Sequence, residues 1–213
     1  MIFGKIEYLN LLPFHLFMKR YAAPQHYAQI SRYHTGVPSK INESFSHRRV
    51  NAAFISSIKA KKYRYAPLGI IAKKEVLSVL LLPAHTSRQD SASATSNMLA
   101  KILHVQGEVL IGDRALEYYL SGNESLDLAA LWHARYKLPF VFALLCYHSH
   151  HRYMTRMSKN FLKRPVKIPH YLLHAAAERT GITPPDILHY LTYISYHLDT
   201  RAKRGLKKFL SLT

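Results

Sequence analysis

The chain has 213 residues, with 30 Lys+Arg against 12 Asp+Glu for a net charge of +18, and 14 His besides. Apolar residues make up 48% and charged residues 20%, a globular composition that excludes disordered and fibrous classes; a chain of this length buries about 70% of the surface it exposes unfolded. A single cysteine, Cys146, excludes an intramolecular disulfide framework and a Cys-built zinc site.

No apolar run approaches the ~20 residues that span a bilayer, so no membrane insertion is expected. The opening MIFGKIEYLNLLPF lacks the layout of a secretory signal, which makes the cytoplasm the expected compartment. The charge is unevenly spread. Residues 1–79 carry 13 basic and 3 acidic side chains (net +10), residues 80–146 carry 5 and 6 (net −1), and residues 147–213 carry 12 and 3 (net +9). If the outer segments fold together, one lobe is basic and the other near neutral. Such a balance attracts anions without choosing among nucleic acid, membrane and small acidic substrates.

In chain order, the first 80 residues alternate short β-like runs with helical segments, the pattern of a parallel α/β sheet. Ile2–Ile6 reads as a strand, followed by Tyr8-Leu9-Asn10 and a helix entered through Pro13. Ala28–Arg32 is a weaker strand. Gly36-Val37-Pro38-Ser39 opens a helix running to about His47. Ala52–Ile55 is a buried strand ending in Ser56-Ser57, and Leu68–Ala72 and Val76–Leu82 read as further strands. A polar stretch, His85 to Ser96, leads into a helix from Thr95 to about Leu103, a strand at Val109–Ile111 ending in Gly112-Asp113, and a helix over Ala115–Leu120. Trp132 falls on another helix. Pro139–Cys146 is the most apolar strand. A helix over Tyr171–Arg179 stops at Gly181, and Thr183-Pro184-Pro185-Asp186 begins another. Ile187, Leu188, Leu191, Ile194 and Leu198 keep a helical period, and Arg201–Leu210 is a basic amphipathic helix.

Dinucleotide, P-loop, nucleophile-elbow and zincin signatures are absent. The run His148-Ser149-His150-His151 lacks companion ligands and reads as a solvated or substrate-facing cluster, and His170 and His174 share a helix face. More informative are residues beyond strand ends or opening helices, where ligands of open α/β sheets bind: Tyr8, Asn10, Ser39, Ser56, Ser57, Thr95 and Ser96, with Ser78 inside a strand. Helix N-termini bearing small hydroxyls suit carboxylates. Each Ser or Thr taken singly is also explained as a helix cap, so a carboxylate-binding cleft and ordinary capping both stand at this point.

The blocks YLNLLP (8–13), GVPSKIN (36–42), AAFISSI (52–58), SVLL (78–81), SATS (93–96), LIGDRAL (110–116) and LPFVFA (138–143), with Tyr190-Leu191, Gly205-Leu206 and Phe209, resemble the chorismate dehydratases of the futalosine route to menaquinone. That resemblance implies an α/β, two-lobed fold like the periplasmic binding proteins of the second class, with the ligand cleft between lobes. One lobe is expected from 1–79 plus 143–213 and the other from 80–142. The Cys-Pro-Asn-Asp-type opening of the sister dihydroxynaphthoate-forming family is missing. Departures are a short middle segment and Lys73-Lys74 before Ser78, which put cleft-rim contacts in question.

The implied reaction takes chorismate to 3-[(1-carboxyvinyl)oxy]benzoate and water. Asn10 and Ser78 are the expected catalytic residues, and Tyr8, Ser39, Ser56, Ser57, Thr95, Ser96 and Asp113 the expected substrate-binding ones. Asp113 is read as a helix N-cap ahead of a general base. No cofactor and no metal are implied. The expected partner is the small dianionic substrate, not nucleic acid, and no oligomeric state is indicated. The alternatives are a non-catalytic cytoplasmic binder of small carboxylates with the same fold and, behind it, a basic nucleic-acid-binding protein.

Overall fold

The computed structural model describes residues 1–22, 32–84, 86 and 88–213. In the first part of the chain, β1 (Ile2–Lys5) and a 3-10 turn at Leu9–Leu11 lead to α1 (Leu12–Ala22). Then come β2 (Arg32–Thr35), α2 (Pro38–Ser46), β3 (Ala52–Ser56), the short α3 (Ser57–Ala60) and β4 (Tyr65–Ala72). The middle holds β5 (Val79–Leu82), α4 (Ala94–Leu103), β6 (Glu108–Ile111), α5 (Asp113–Leu120), β7 (Leu126–Asp127) and α6 (Leu128–Tyr136). The chain closes with β8 (Phe140–Tyr147), α7 (His151–Lys163), α8 (His170–Thr180), α9 (Pro184–Leu191), β9 (Ile194–His197) and α10 (Thr200–Leu210).

These strands make two sheets, a six-stranded one in the order β2-β1-β3-β8-β4-β9 and a three-stranded one in the order β6-β5-β7. The chain leaves the large sheet after β4 and re-enters it at β8, and the small sheet is built in between. The large sheet is mixed rather than parallel. β1 runs parallel to β2 and β3, whereas β8 is antiparallel to both β3 and β4, and β9 is antiparallel to β4. The reversal follows from β8, whose apolar residues are buried or half-buried along its length and which therefore takes a central position on its return.

Two further expectations need correction. The stretch 76–78 does not join β5, because Leu77 takes a left-handed conformation (φ 60°) that breaks the extended chain. The helical period through Ile194 and Leu198 is broken as well: α9 stops at Leu191, and Ile194 and Ser195 instead pair with Ala72 and Ile71 of β4. Ladder hydrogen bonds to an otherwise open sheet edge outweigh a period that both conformations can satisfy. The weak strand expected at Ala28–Arg32 lies outside the described residues apart from Arg32, which begins β2. Sequence reading also missed α7, although its buried Met154, Met157, Ser158 and Phe161 have helical spacing.

One main core joins both sheets. Phe14 of α1 meets Phe54 of β3 and Phe161 of α7 edge-on, with ring centroids 4.9 and 5.3 Å apart. Trp132 of α6, fully buried, packs on Phe140 and Phe209. Burying each such ring contributes about 2–3 kcal/mol. At Gly205 of α10 an added Cβ would run into the Pro139 carbonyl, so only glycine lets α10 lie this close to the start of β8. No helix among the described residues is long and apolar enough to cross a membrane.

Candidate active site

Between the two sheets lies a pocket of about 610 Å³, its open mouth included. Ile6, Leu11, Phe54, Ile70, Val79 and Phe142 form apolar walls, and polar atoms come from Tyr8, Asn10, Ser56, Ser78, Ser93 and Ser96. Among the described residues, no Asp, Glu, His, Lys or Arg lines it. Of the nine expected site residues, this brings together Tyr8, Asn10, Ser56, Ser78 and Ser96.

Ser78 sits at the hinge between the sheets, placed by an arrangement the sequence did not announce. Val76 and Leu77 both donate their N–H groups to Oδ2 of Asp127 (2.8 and 2.7 Å). Oδ1 of the same carboxylate caps α6, accepting from Ala129 and Ala130 (2.8 and 3.0 Å). Four backbone donors on one side chain hold Leu77 in a conformation that costs a bulky residue about 1–2 kcal/mol. Burial nevertheless dominates, and the Asp127 carboxyl lies above its ordinary range. The carbonyl of Ser78 accepts from Gly112 N–H (2.9 Å), which joins the hinge to the end of β6.

The hydroxyls on the opposite wall are set by helix starts. Ser93 caps α4. Its Oγ accepts from Ser96 N–H (3.1 Å) and donates to Ser96 Oγ (2.8 Å), leaving the Ser96 proton free to point into the pocket. Ser56, at the end of β3, is clamped by Asn42 of α2: the amide donates to Ser56 Oγ, and Asn42 Oδ1 accepts from Ser56 N–H, each at 3.1 Å. Ser93 and Asn42 lie in the SATS and GVPSKIN blocks, so the signal was present and was not weighed.

The other four expected residues lie elsewhere. Ser57 is fully buried and donates to the Val141 carbonyl. Thr95 is buried too and accepts from Ile58 N–H (3.3 Å), tying α4 to α3. Ser39 is half-buried on α2, and its neighbour Pro38 lines the pocket instead. Asp113 is not the helix cap, since Gly112 occupies that position (φ 74°). Its carboxylate accepts from Leu9 N–H (2.8 Å) and from Arg179 Nη1 (3.0 Å) and lines an adjoining depression. Burial still raises the Asp113 carboxyl above its ordinary range.

Lys73 and Lys74 are exposed and border a separate depression against Thr192–Ser195. The run 148–151 divides among unrelated tasks. His148 stacks on Phe45 with centroids 4.0 Å apart, His150 precedes α7 in the left-handed region, and His151 bonds the Tyr147 hydroxyl (2.6 Å). His170 and His174 do share an exposed face of α8, with rings 4.3 Å apart.

Two tyrosines of the last 25 residues stand behind the pocket-lining Asn10 and Ser78. The Tyr190 hydroxyl lies 2.8 Å from Ser78 Oγ. Tyr196 donates to the Asn10 carbonyl (2.7 Å). Burial pushes both phenols well above the ordinary tyrosine range, so both are neutral. Tyr8, at the mouth, is pushed up to about 12, mainly by burial and then by the nearby Asp90 and Asp113.

Residues 104–213 match the protein family described as menaquinone biosynthesis. A chorismate dehydratase of Campylobacter jejuni is 44% identical over 214 residues, covering 99% of this chain and 96% of that protein, so the short middle segment has a parallel there. The chorismate dehydratase of Thermus thermophilus is 25% identical over 261 residues, covering 98% and 93%. Among solved structures, a protein from Archaeoglobus fulgidus superposes with a TM-score of 0.67 at 15% identity, covering 99% and 95%. The periplasmic aliphatic sulphonate binding protein of Escherichia coli does so with 0.55 at 12%, covering 100% and 85%. The fold is that of the periplasmic binding proteins, and the chain belongs to the chorismate dehydratase family.

Proposed function

We propose that this protein is a cytoplasmic hydro-lyase that converts chorismate to 3-[(1-carboxyvinyl)oxy]benzoate and water for menaquinone synthesis by the futalosine route. Its two lobes, residues 1–79 with 143–213 and residues 80–142, enclose the substrate. Hydroxide leaves one ring carbon, a proton leaves its neighbour, and the ring becomes aromatic. Aromatisation supplies the driving force, so the protein's task is to hold the dianion and favour this elimination over pyruvate loss.

The observation that carries the reading is a pocket between the sheets whose polar side-chain atoms, among the described residues, are hydroxyls and one amide, with no side-chain base among them. Asp113, next to the lining residue Gly112, is engaged by Leu9 and Arg179, and Glu7, between Ile6 and Tyr8, is paired with Lys5. The proton acceptor is then the substrate's own enolpyruvyl carboxylate, oriented by Asn10, while Ser78 donates to the reacting edge. Such placement of reacting groups is worth several kcal/mol, on the order of a well-oriented intramolecular reaction. The ring carboxylate goes to Ser93, Ser96 and the free N–H groups at the start of α4, where the helix dipole favours an anion. Ser56 and Tyr8 complete the contacts. With no cation in the lining, the net charge of +18 acts only at long range, drawing the dianion toward the cleft.

Mass spectrometry of chorismate incubated with the protein tests this reading, with a product lighter by one water expected. Pyruvate release would replace the dehydratase by a lyase, and tightly bound but unchanged chorismate would replace it by a binder. An analogue lacking the side-chain carboxylate should bind and fail to react; normal turnover of it would remove the substrate-assisted step.

A further inference from the structure

Resting on the dehydratase reading, we propose that Tyr190 is a positioning residue that fixes the direction in which the Ser78 hydroxyl donates. Tyr190 touches no open part of the pocket. It is 2% exposed and sits near the end of α9, and its ring volume alone would be explained by packing. Its oxygen is the informative atom, because Ser78, an expected catalytic side chain at the hinge before β5, meets it at 2.8 Å.

A phenol has one proton and can accept. Among the described residues Ser78 Oγ is the hydrogen-bond partner of this buried phenol, so the phenol proton turns to Ser78 Oγ rather than being left unpaired in the interior. Ser78 then has its acceptor site filled, and its own proton faces the cavity. A lone serine hydroxyl rotates freely between donating and accepting, whereas this one is set as a donor toward the departing hydroxide. The phenol stays neutral because burial raises it far above working pH, so the direction does not reverse as pH changes. Tyr196 on β9 anchors the other side by holding the Asn10 carbonyl (2.7 Å). The C-terminal segment, far from the pocket in sequence, thus sets the donor order Tyr190 to Ser78 and holds the backbone of Asn10.

The test is Tyr190→Phe, which removes one oxygen and keeps the ring. With wild-type turnover of chorismate measured alongside, kcat should fall by about tenfold, the effect of losing one buried hydrogen bond, with KM within about threefold. The discriminating readout is the double variant Ser78→Ala/Tyr190→Phe. If Tyr190 acts through Ser78, the double variant is no slower than Ser78→Ala alone, whereas a merely structural role makes the losses multiply. Near-wild-type kcat in Tyr190→Phe, or multiplying losses, would overturn the proposal while leaving the dehydratase reading intact. An inactive wild type would overturn the reading, and the proposal with it. Should Tyr190→Phe fail to fold, Ser78→Ala keeps the tyrosine: its buried hydroxyl proton, observed by NMR, should shift in that variant, and an unmoved resonance would sink the proposal.

Discussion

Replacing Gly112 by alanine perturbs the fold and the site at one atom. Gly112 ends β6, caps α5 and donates to the Ser78 carbonyl. Its backbone (φ 74°, ψ −152°) lies where L side chains rarely go, which costs about 1–3 kcal/mol for a residue with a Cβ. That Cβ would also stand 2.6, 2.8 and 3.0 Å from three atoms of the Tyr8 ring, so the ring or the strand must move, at a further 1–3 kcal/mol or so. The expected loss is therefore about 2–6 kcal/mol in urea unfolding followed by circular dichroism. The two parts separate in a cycle with Tyr8→Ala: with the ring gone, the same glycine substitution should cost only the backbone share. An unchanged unfolding midpoint, or the same cost in both backgrounds, would refute this account of the pocket mouth.

Asp127→Ala removes the acceptor for four backbone donors and frees Leu77 from its left-handed geometry. We expect a stability loss of about 3 kcal/mol in denaturant unfolding, with a fall in kcat as Ser78 loses its place; Asp127→Asn should fall between. His15 is half-buried and donates to the Ile6 carbonyl (2.9 Å), and desolvation of the ring holds it down at about 4, against an ordinary 6.5. As pH drops between those values the unfolded chain takes up a proton that the folded one refuses, so stability is lost there at about 1.4 kcal/mol per pH unit. His15→Gln should gain on the wild type by about 2–3 kcal/mol between pH 7 and 4.5, and parallel pH profiles would contradict this. Asn42→Ala, by releasing Ser56, should raise KM for chorismate several-fold while costing about 1–2 kcal/mol of stability, the penalty of unsatisfying buried groups.

Reading strand ends and helix starts found four of the pocket residues because those positions are local. Tyr8-Asn10 follows β1, Ser56 ends β3, and Ser96 opens α4, each visible within a few residues of its neighbours. What escaped depends on pairs distant in the chain. Asp127 caps α6 with one oxygen, and its other oxygen serves residues 76 and 77 of the hinge. Tyr190 falls on an apolar helical stripe, where an aromatic signals packing, and its partner lies at position 78. The strand β9 carries no pattern that separates it from a helix until the edge of β4 is there to pair with. Ser57 and Thr95 show the converse error. Small hydroxyls at element ends suit a ligand, but equally suit the neighbouring backbone, and here the backbone has them.

The central claim is that this chain removes water from chorismate and leaves its side chain in place. Proton NMR of chorismate during incubation with the purified protein tests it most directly. The account predicts new benzoate ring signals while the enolpyruvyl methylene signals persist; a growing pyruvate methyl signal, or a chorismate spectrum that does not change, would contradict it.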